Sequence, residues 1–328
     1  MSQALLDVTD LSVRFDTDDG TVYAVDGMSF TLAAGEVLGI VGESGCGKSV
    51  TCMAMVGLLP ETAVVSGRVL FNGEDLLSVT AKRLRRIRGR EISYVFQEPM
   101  TSLNPVFTVG DQIGEGLRRH LGLSRREAKA RAVELLELVR IPAAPRRLGE
   151  YPHQLSGGMR QRVMIAIALA CEPKVLVADE PTTALDVTIQ AGILDLIRDI
   201  RERLGTAILL ITHNLGVVAD IADRVLVMYA GRKAEEAGVG DLFAYPQHPY
   251  TIGLLAAIPR PFEGAESRER LKEIPGRVPS VSELIQACAF AERCPRADEL
   301  TRSQIPELRE VRPEHFVACF HPGENGAS

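Results

Sequence analysis

No apolar stretch in this 328-residue chain approaches the roughly 20 residues that a membrane-spanning helix needs. The longest, near Glu36–Gly42 and Ala207–Thr212, are far shorter. The opening Met1-Ser2-Gln3-Ala4 has no basic region and no signal-like apolar segment, so a cytoplasmic protein that does not itself cross a membrane is expected. There is no excess of positive charge. The 37 Lys and Arg against 43 Asp and Glu give −6, and no global basic field calls for nucleic acid. Nor is there a secreted disulfide framework. Cys46, Cys52 and Cys171 are scattered, while Cys288, Cys294 and Cys319 fall in the last 41 residues. No internal repeat or low-complexity tract is present. Apolar residues at 46% and charged residues at 24% are ordinary for a folded protein, and the length suits about two domains.

What is present alternates. Short apolar runs at Glu36–Val41, Ile92–Phe96, Val175–Ala178, Ala207–Ile211 and Arg224–Met228 read as strands of a buried, mostly parallel sheet. Helical spacing separates them. Ile189, Ile193, Leu196, Ile197, Ile200 and Leu204 recur at threes and fours, with Gly205 placed as a C-cap. Ser124-Arg-Arg-Glu127 reads as a capping box ahead of Ala128, Ala132, Leu135, Leu136 and Val139. The alternation predicts an α/β fold over about residues 1–240, with a helical insert at about 98–171. Prolines then cluster at Pro246, Pro249, Pro259, Pro261, Pro275 and Pro279, and 241–328 reads as a smaller, loop-rich C-terminal region.

Gly42-Glu43-Ser44-Gly45-Cys46-Gly47-Lys48-Ser49 fits G-x-x-x-x-G-K-S/T and sits between an apolar strand and a helical segment. Its glycines let backbone amides close around phosphate oxygens, and the helix start adds positive potential. Lys48 is expected on the β- and γ-phosphates and Ser49 on Mg²⁺. Val175–Ala178 runs into Asp179 and Glu180. One acid would serve Mg²⁺ and the other would orient an attacking water. Gln97 and His213 follow other strands, at the ends where open α/β sheets bind ligands, and both are candidates to face the phosphates.

Leu155-Ser156-Gly157-Gly158-Met159-Arg160-Gln161 then closes a set that resembles the ATP-binding cassette (ABC) family over almost the whole chain. The motifs come in that family's order: Walker A at Gly42–Ser49, Gln97, signature at Leu155–Gln161, Walker B at Val175–Asp179, Glu180, D-loop at Ala184-Leu185-Asp186, and His213. The resemblance implies a P-loop nucleotide-binding domain with antiparallel N-terminal strands. It also implies ATP and Mg²⁺, with Ser49, Gln97 and Asp179 toward the metal and Glu180, His213, Gln97 and Lys48 as the catalytic set. Ser156, Gly157 and Gly158 open a helix whose amides attract an anion. About 110 residues of chain separate them from the phosphate loop. In the family they serve the partner subunit's ATP in a head-to-tail dimer, and Asp186 ties the two sites together. Phe15 is expected to stack on adenine, with Tyr23 as the alternative. Val50 stands where many members have threonine, Met159 where glutamine is commoner, and Asn214 where many have aspartate.

Within the family, the runs Gln97–Pro105, Asp179–Gln190, His248-Pro-Tyr-Thr251 and Ile274–Pro279 resemble the ATPase subunits of oligopeptide, dipeptide and nickel importers. The resemblance implies two membrane permeases, a sibling ATPase or a second copy, and an extracytoplasmic solute-binding protein. It implies a peripheral place on the cytoplasmic face of the inner membrane, no nucleic acid, and a permease groove in the insert. A soluble ABC ATPase acting on ribosomes or DNA is the alternative reading. These importers often hold a 4Fe-4S cluster on four C-terminal cysteines. Here Cys288, Cys294 and Cys319 remain and Thr301 takes the place of the missing one. A non-cysteine ligand for a cluster, or His315 or His321 for zinc, would complete the set. Lys82–Arg90, with six basic residues in nine, reads as a solvated face. His153 and His248 read as local structure.

Overall fold

The computed structural model describes residues 4–18, 20–98, 102–182, 186–258, 274–279 and 285–323. Pro259 and Pro261 therefore lie outside the described residues. The strands are β1 Leu6–Thr17, β2 Gly20–Leu32, β3 Val37–Val41, β4 Ala63–Phe71, β5 Glu74–Asp75, β6 Ile92–Val95, β7 Val175–Asp179, β8 Ala207–Thr212, β9 Arg224–Tyr229, β10 Arg232–Gly238, β11 Leu308–Arg312 and β12 His315–Ala318. The chain divides into two compact units. One comprises residues 1–5, 32–37 and 78–211, and the other 6–31, 38–77 and 212–328.

In the first unit β6, β7 and β8 run parallel, with Ile92 opposite Val175 and Val175 opposite Ala207. Every residue of β7 and β8 is buried. A parallel strand is covered on both faces, which is why these segments are continuous apolar runs and do not alternate. Helix Val187–Leu204 packs Ile193, Leu196, Ile197 and Ile200 inward and ends on Gly205 at φ 63°. That left-handed conformation favours glycine. The insert is helical as expected, with helices Val109–Leu121, Arg125–Leu138 and Gly157–Leu169. Thr108 caps the first, and Ser124 with Glu127 forms a full capping box on the second. Each cap is worth about 1 kcal/mol. Ile113 and Leu117 of the first and Ala132, Leu135 and Leu136 of the second are all buried, and the two helices pack together. Truncating Leu117 to alanine would cost about 2–5 kcal/mol. In the basic run, Arg83 pairs with Glu91 at 2.6 Å while Lys82, Arg85, Arg86 and Arg90 are exposed.

The second unit holds an antiparallel sheet in the order β2-β1-β4-β5. A bulge between Thr9 and Ser12 puts Asp10 at φ 49°, and Gly67 lies against it. A Cβ on Gly67 would sit 2.5 Å from the Asp10 carbonyl oxygen, so the bulge requires glycine there. Elsewhere in this unit β3 runs parallel to β9, and β9 turns back into β10. Ala230 and Gly231, both at positive φ, make the tight hairpin turn that matches strand twist. β12 pairs with β10 and β11 with β12. The C-terminal region thus adds a hairpin to β10, where the sequence offered only loops and prolines. The buried Glu235 of β10 anchors it. This carboxylate accepts from His315 Nε2 at 2.7 Å and from the amides of Gln247 and His248 at 2.7 and 2.8 Å. A buried carboxylate is tolerable only with such a full set of donors.

Candidate functional site

In the second unit the loop after β3 turns through Gly42, Gly45 and Gly47, at φ 156°, 80° and 101°. A Cβ on Gly42 would lie 2.2 Å from the Met228 carbonyl oxygen, and one on Gly47 would lie 2.4 Å from that of Ala24. The chain can pass only where no side chain projects. Helix Lys48–Met55 begins directly after Gly47. Lys48 is buried, and its ammonium donates to the carbonyl oxygens of Gly42 and Glu43 at 2.8 and 2.9 Å. The charge is thereby held inside the loop. Ser44 and Gly45 are exposed, Ser49 and Val50 are half-buried, and Cys46 is buried, with burial raising its thiol pKa.

The same unit carries His213, exposed after β8, and Asn214, whose Oδ1 accepts from the amides of Gly216 and Val217 to cap helix Leu215–Ile221. Asparagine is a strong N-cap, which accounts locally for its place there. Phe15 is half-buried near the end of β1 and Tyr23 half-buried on β2.

The first unit brings three acid-site residues together. Asp179 ends β7 and is 5% exposed. Tyr94 of β6, which the sequence reading did not single out, donates to its Oδ2 at 2.7 Å. Glu180 follows at φ 46°, an uncommon conformation for a non-glycine residue, and its amide donates to the Ile211 carbonyl at 2.9 Å. Backbone strain of this kind often accompanies a functional position. The Gln97 amide donates to Glu180 Oε2 at 3.0 Å across 83 residues of sequence. Helix Gly157–Leu169 opens at Ser156, whose Oγ accepts from the Met159 amide at 3.3 Å. Ser156 and Gly157 are exposed and Gly158 is buried. A Cβ on Gly158 would meet Ile189 at 2.7 Å. Position 159 contributes its backbone to the cap, so methionine serves there. Asp186 caps helix Val187–Leu204, accepting from the Ile189 amide at 2.9 Å. Ala184 and Leu185 lie outside the described residues.

A groove of about 890 Å³ opens in the insert of the same unit, lined by Phe107, Asp111, Glu115, Arg118, Lys129 and Arg146 among others. Phe107 is 52% and Val106 72% exposed.

Two further features escaped sequence reasoning. Tyr250 Oη accepts from the Glu43 amide at 2.8 Å, and Arg293 grips both Glu43 carboxylate oxygens. The only local signal for either was the His248-Pro-Tyr run. His248 caps helix Pro249–Ala256, with Nδ1 accepting from the Tyr250 amide at 3.0 Å. Burial pushes its pKa down to about 4, so it is a neutral structural group, as expected. His153 is exposed and stacks on Tyr151.

The C-terminal thiols do not present a complete metal site. Burial raises the pKa of Cys288 and Cys294, and of Cys319 to about 11. Thr301 is occupied as the capping partner of Asp298. His315 Nε2 is bonded to Glu235 and His321 Nε2 to Asp298. Among the described residues no group of three His, Cys, Asp or Glu could hold a metal ion.

Comparison with known proteins identifies the family. The ABC transporter family profile matches residues 25–183, and that of the oligopeptide/dipeptide transporter C-terminal region matches 234–300. The oligopeptide transport ATP-binding protein OppD of Salmonella typhimurium is 50% identical over 324 residues, covering 98% of this chain and 95% of that protein. OppD of Escherichia coli is 50% identical over 323 residues, with the same coverage. Among solved structures, the dimeric ATP-binding cassette MJ0796 in a post-hydrolysis state with ADP and Pi matches at TM-score 0.65 and 28% identity. It covers 71% of this chain and 98% of that one.

Proposed function

Because the chain belongs to the ABC transporter family, we propose that it is the ATP-hydrolysing subunit of a membrane importer for di- or oligopeptides. The observation that carries this is the 50% identity to an oligopeptide transport ATP-binding protein over nearly the full length of both chains, joined to the matched C-terminal region. The activity is ATP hydrolysis coupled to transport. Residues 1–240 form the cassette, with its insert at about 98–171, and 241–328 form the extension characteristic of this branch.

Each residue has a role in that reading. The amides of Gly42–Ser49 and the Lys48 ammonium hold phosphate. Val50 lines the same loop. The hydroxyl, amide and carboxylate oxygens of Ser49, Gln97 and Asp179 are hard donors that fit Mg²⁺. Mg²⁺ supplies charge neutralisation at the β- and γ-phosphates. Glu180 orients and polarises the attacking water, and its bond from Gln97 supports coupling of that acid to the insert. His213 contacts the γ-phosphate and Phe15 stacks on adenine. Ser156, Gly157 and Gly158 face the ATP of a partner subunit in a head-to-tail dimer, and Asp186 links the two sites. ATP binding closes the dimer and hydrolysis opens it.

The partner is a sibling ATPase or a second copy. Two permeases carry the solute, received from an extracytoplasmic binding protein. The groove beside Phe107 receives a permease's cytoplasmic helix. No described helix is long and apolar enough to cross a membrane, which suits a peripheral subunit on the cytoplasmic face. A metal at Cys288, Cys294 and Cys319, completed by a non-cysteine ligand for a cluster or by His315 or His321 for zinc, is the finer reading of the extension. Iron, sulfide and zinc analysis of anaerobically purified protein decides it, since metal-free protein leaves one buried and two half-buried thiols.

The test of the whole is a mild-detergent pull-down of tagged protein from native membranes. Recovery of two permeases and an ATPase partner supports import. Recovery of ribosomal proteins, or of no membrane protein, overturns it.

A further inference from the structure

Glu43 places a carboxylate at the second position of a loop that binds phosphate. An anion there repels the nucleotide unless it is neutralised. Arg293 neutralises it from 250 residues away. Its side chain is 4% exposed. Nη1 donates to Glu43 Oε2 at 2.6 Å and Nη2 to Oε1 at 3.0 Å, a bidentate pair. Its remaining donors are also engaged. Nε donates to the Pro275 carbonyl at 2.8 Å, Nη2 to that of Ile274 at 3.3 Å, and Nη1 to Tyr229 Oη at 3.3 Å. The guanidinium is therefore locked in orientation. Tyr250, fully buried against Tyr229 and Phe290, accepts the Glu43 amide proton. Both the side chain and the backbone of Glu43 are thus held by the C-terminal region. The Glu43 carbonyl in turn receives the Lys48 ammonium at 2.9 Å.

We propose that the C-terminal region braces the ATP-binding loop, with Arg293 and Tyr250 as positioning residues that set Glu43, and through it Lys48, for nucleotide. Arg293 cancels the loop's own negative charge, and Tyr250 fixes the direction of its backbone. This rests on the reading of the loop as the ATP site. The fork geometry makes lysine an incomplete substitute for Arg293, because one ammonium cannot span both carboxylate oxygens while also holding the Pro275 carbonyl.

The test is a charge cycle on the full-length chain, using Arg293→Met, Arg293→Lys, Glu43→Gln and the double variant Arg293→Met/Glu43→Gln. A fluorescent ATP analogue gives Kd, and phosphate release gives KM and kcat. Arg293→Met should weaken nucleotide binding about tenfold with kcat unchanged, within the usual range of coupling between sites. Arg293→Lys should recover part of the loss. The double variant should recover most of it, because the bare carboxylate is gone. Unchanged Kd in Arg293→Met, or a double variant no tighter than Arg293→Met, overturns the brace. If Arg293→Met fails to fold, Tyr250→Phe and Arg293→Lys carry the test. A raised KM at constant kcat in both supports it, and an unchanged KM in both refutes it. A wild-type chain that binds no nucleotide overturns the brace and the ATP reading together.

Discussion

Replacing His248 by asparagine should make the fold more resistant to acid. His248 is 4% exposed, and its Nδ1 must keep a lone pair to accept the Tyr250 amide. Burial lowers its pKa from 6.5 to about 4, with Glu235 opposing the shift and Arg296 adding to it. The rings of Tyr250 and Phe290 flank it. Above pH 6.5 the group is neutral in the folded and unfolded chain alike, and it gives stability no pH dependence. Between 6.5 and about 4 the unfolded chain takes up a proton that the fold refuses, so stability falls as pH falls. At about 1.4 kcal/mol per pH unit the full loss is about 3 kcal/mol, of which about 2.5 is reached by pH 4.5. Asparagine supplies an N-cap acceptor oxygen in place of Nδ1 and does not titrate. The Tm advantage of His248→Asn over the parent should therefore grow between pH 7 and pH 4.5. A chain of 328 residues shifts about 1.5 °C per kcal/mol, so the gain should be about 4 °C. Dye-monitored thermal melts across that range read it directly. Parallel melting curves for the two proteins would refute the assignment of His248 as a buried neutral cap.

Three further outcomes are expected. Glu180→Gln should still bind ATP but lose about 10²–10⁴-fold in turnover, read as phosphate release; near wild-type turnover would remove Glu180 from its role. Gly47→Ala forces a side chain into φ 101° with its Cβ 2.4 Å from the Ala24 carbonyl. It should cost at least about 2 kcal/mol of stability and abolish nucleotide binding, and a calorimetric titration that matches wild type would contradict this. Glu235→Gln replaces a buried acceptor of three hydrogen bonds and should cost about 1–3 kcal/mol, seen as a lowered denaturation midpoint with an unchanged slope.

The phosphate loop, the signature and the acidic strand end were legible in the sequence for one physical reason. In the proposed reading, gripping a phosphate takes consecutive backbone amides, which is why Gly42–Ser49 and Ser156–Gly158 are contiguous runs. Parallel strands covered on both faces are necessarily unbroken apolar runs, so β7 and β8 announced themselves. The caps at Ser124 and Gly205 were equally local. The hairpin β11–β12 was not legible, because its registration on β10 is a pairing across about 80 residues with no periodic signal of its own.

The sequence by itself determined the motifs: the glycine-rich loop at Gly42–Ser49, the acids Asp179 and Glu180 after an apolar strand, and the helix starts at Ser124 and Ser156. Tertiary structure alone decided which distant side chains hold those residues in place. Tyr94 on Asp179, Gln97 on Glu180, and Arg293 and Tyr250 on Glu43 are contacts spanning 85, 83, 250 and 207 residues. A tyrosine or an arginine carries no mark of its partner in its own neighbourhood. Packing brings the two together, and the unfavourable burial of an unpaired charge or polar group then keeps them paired.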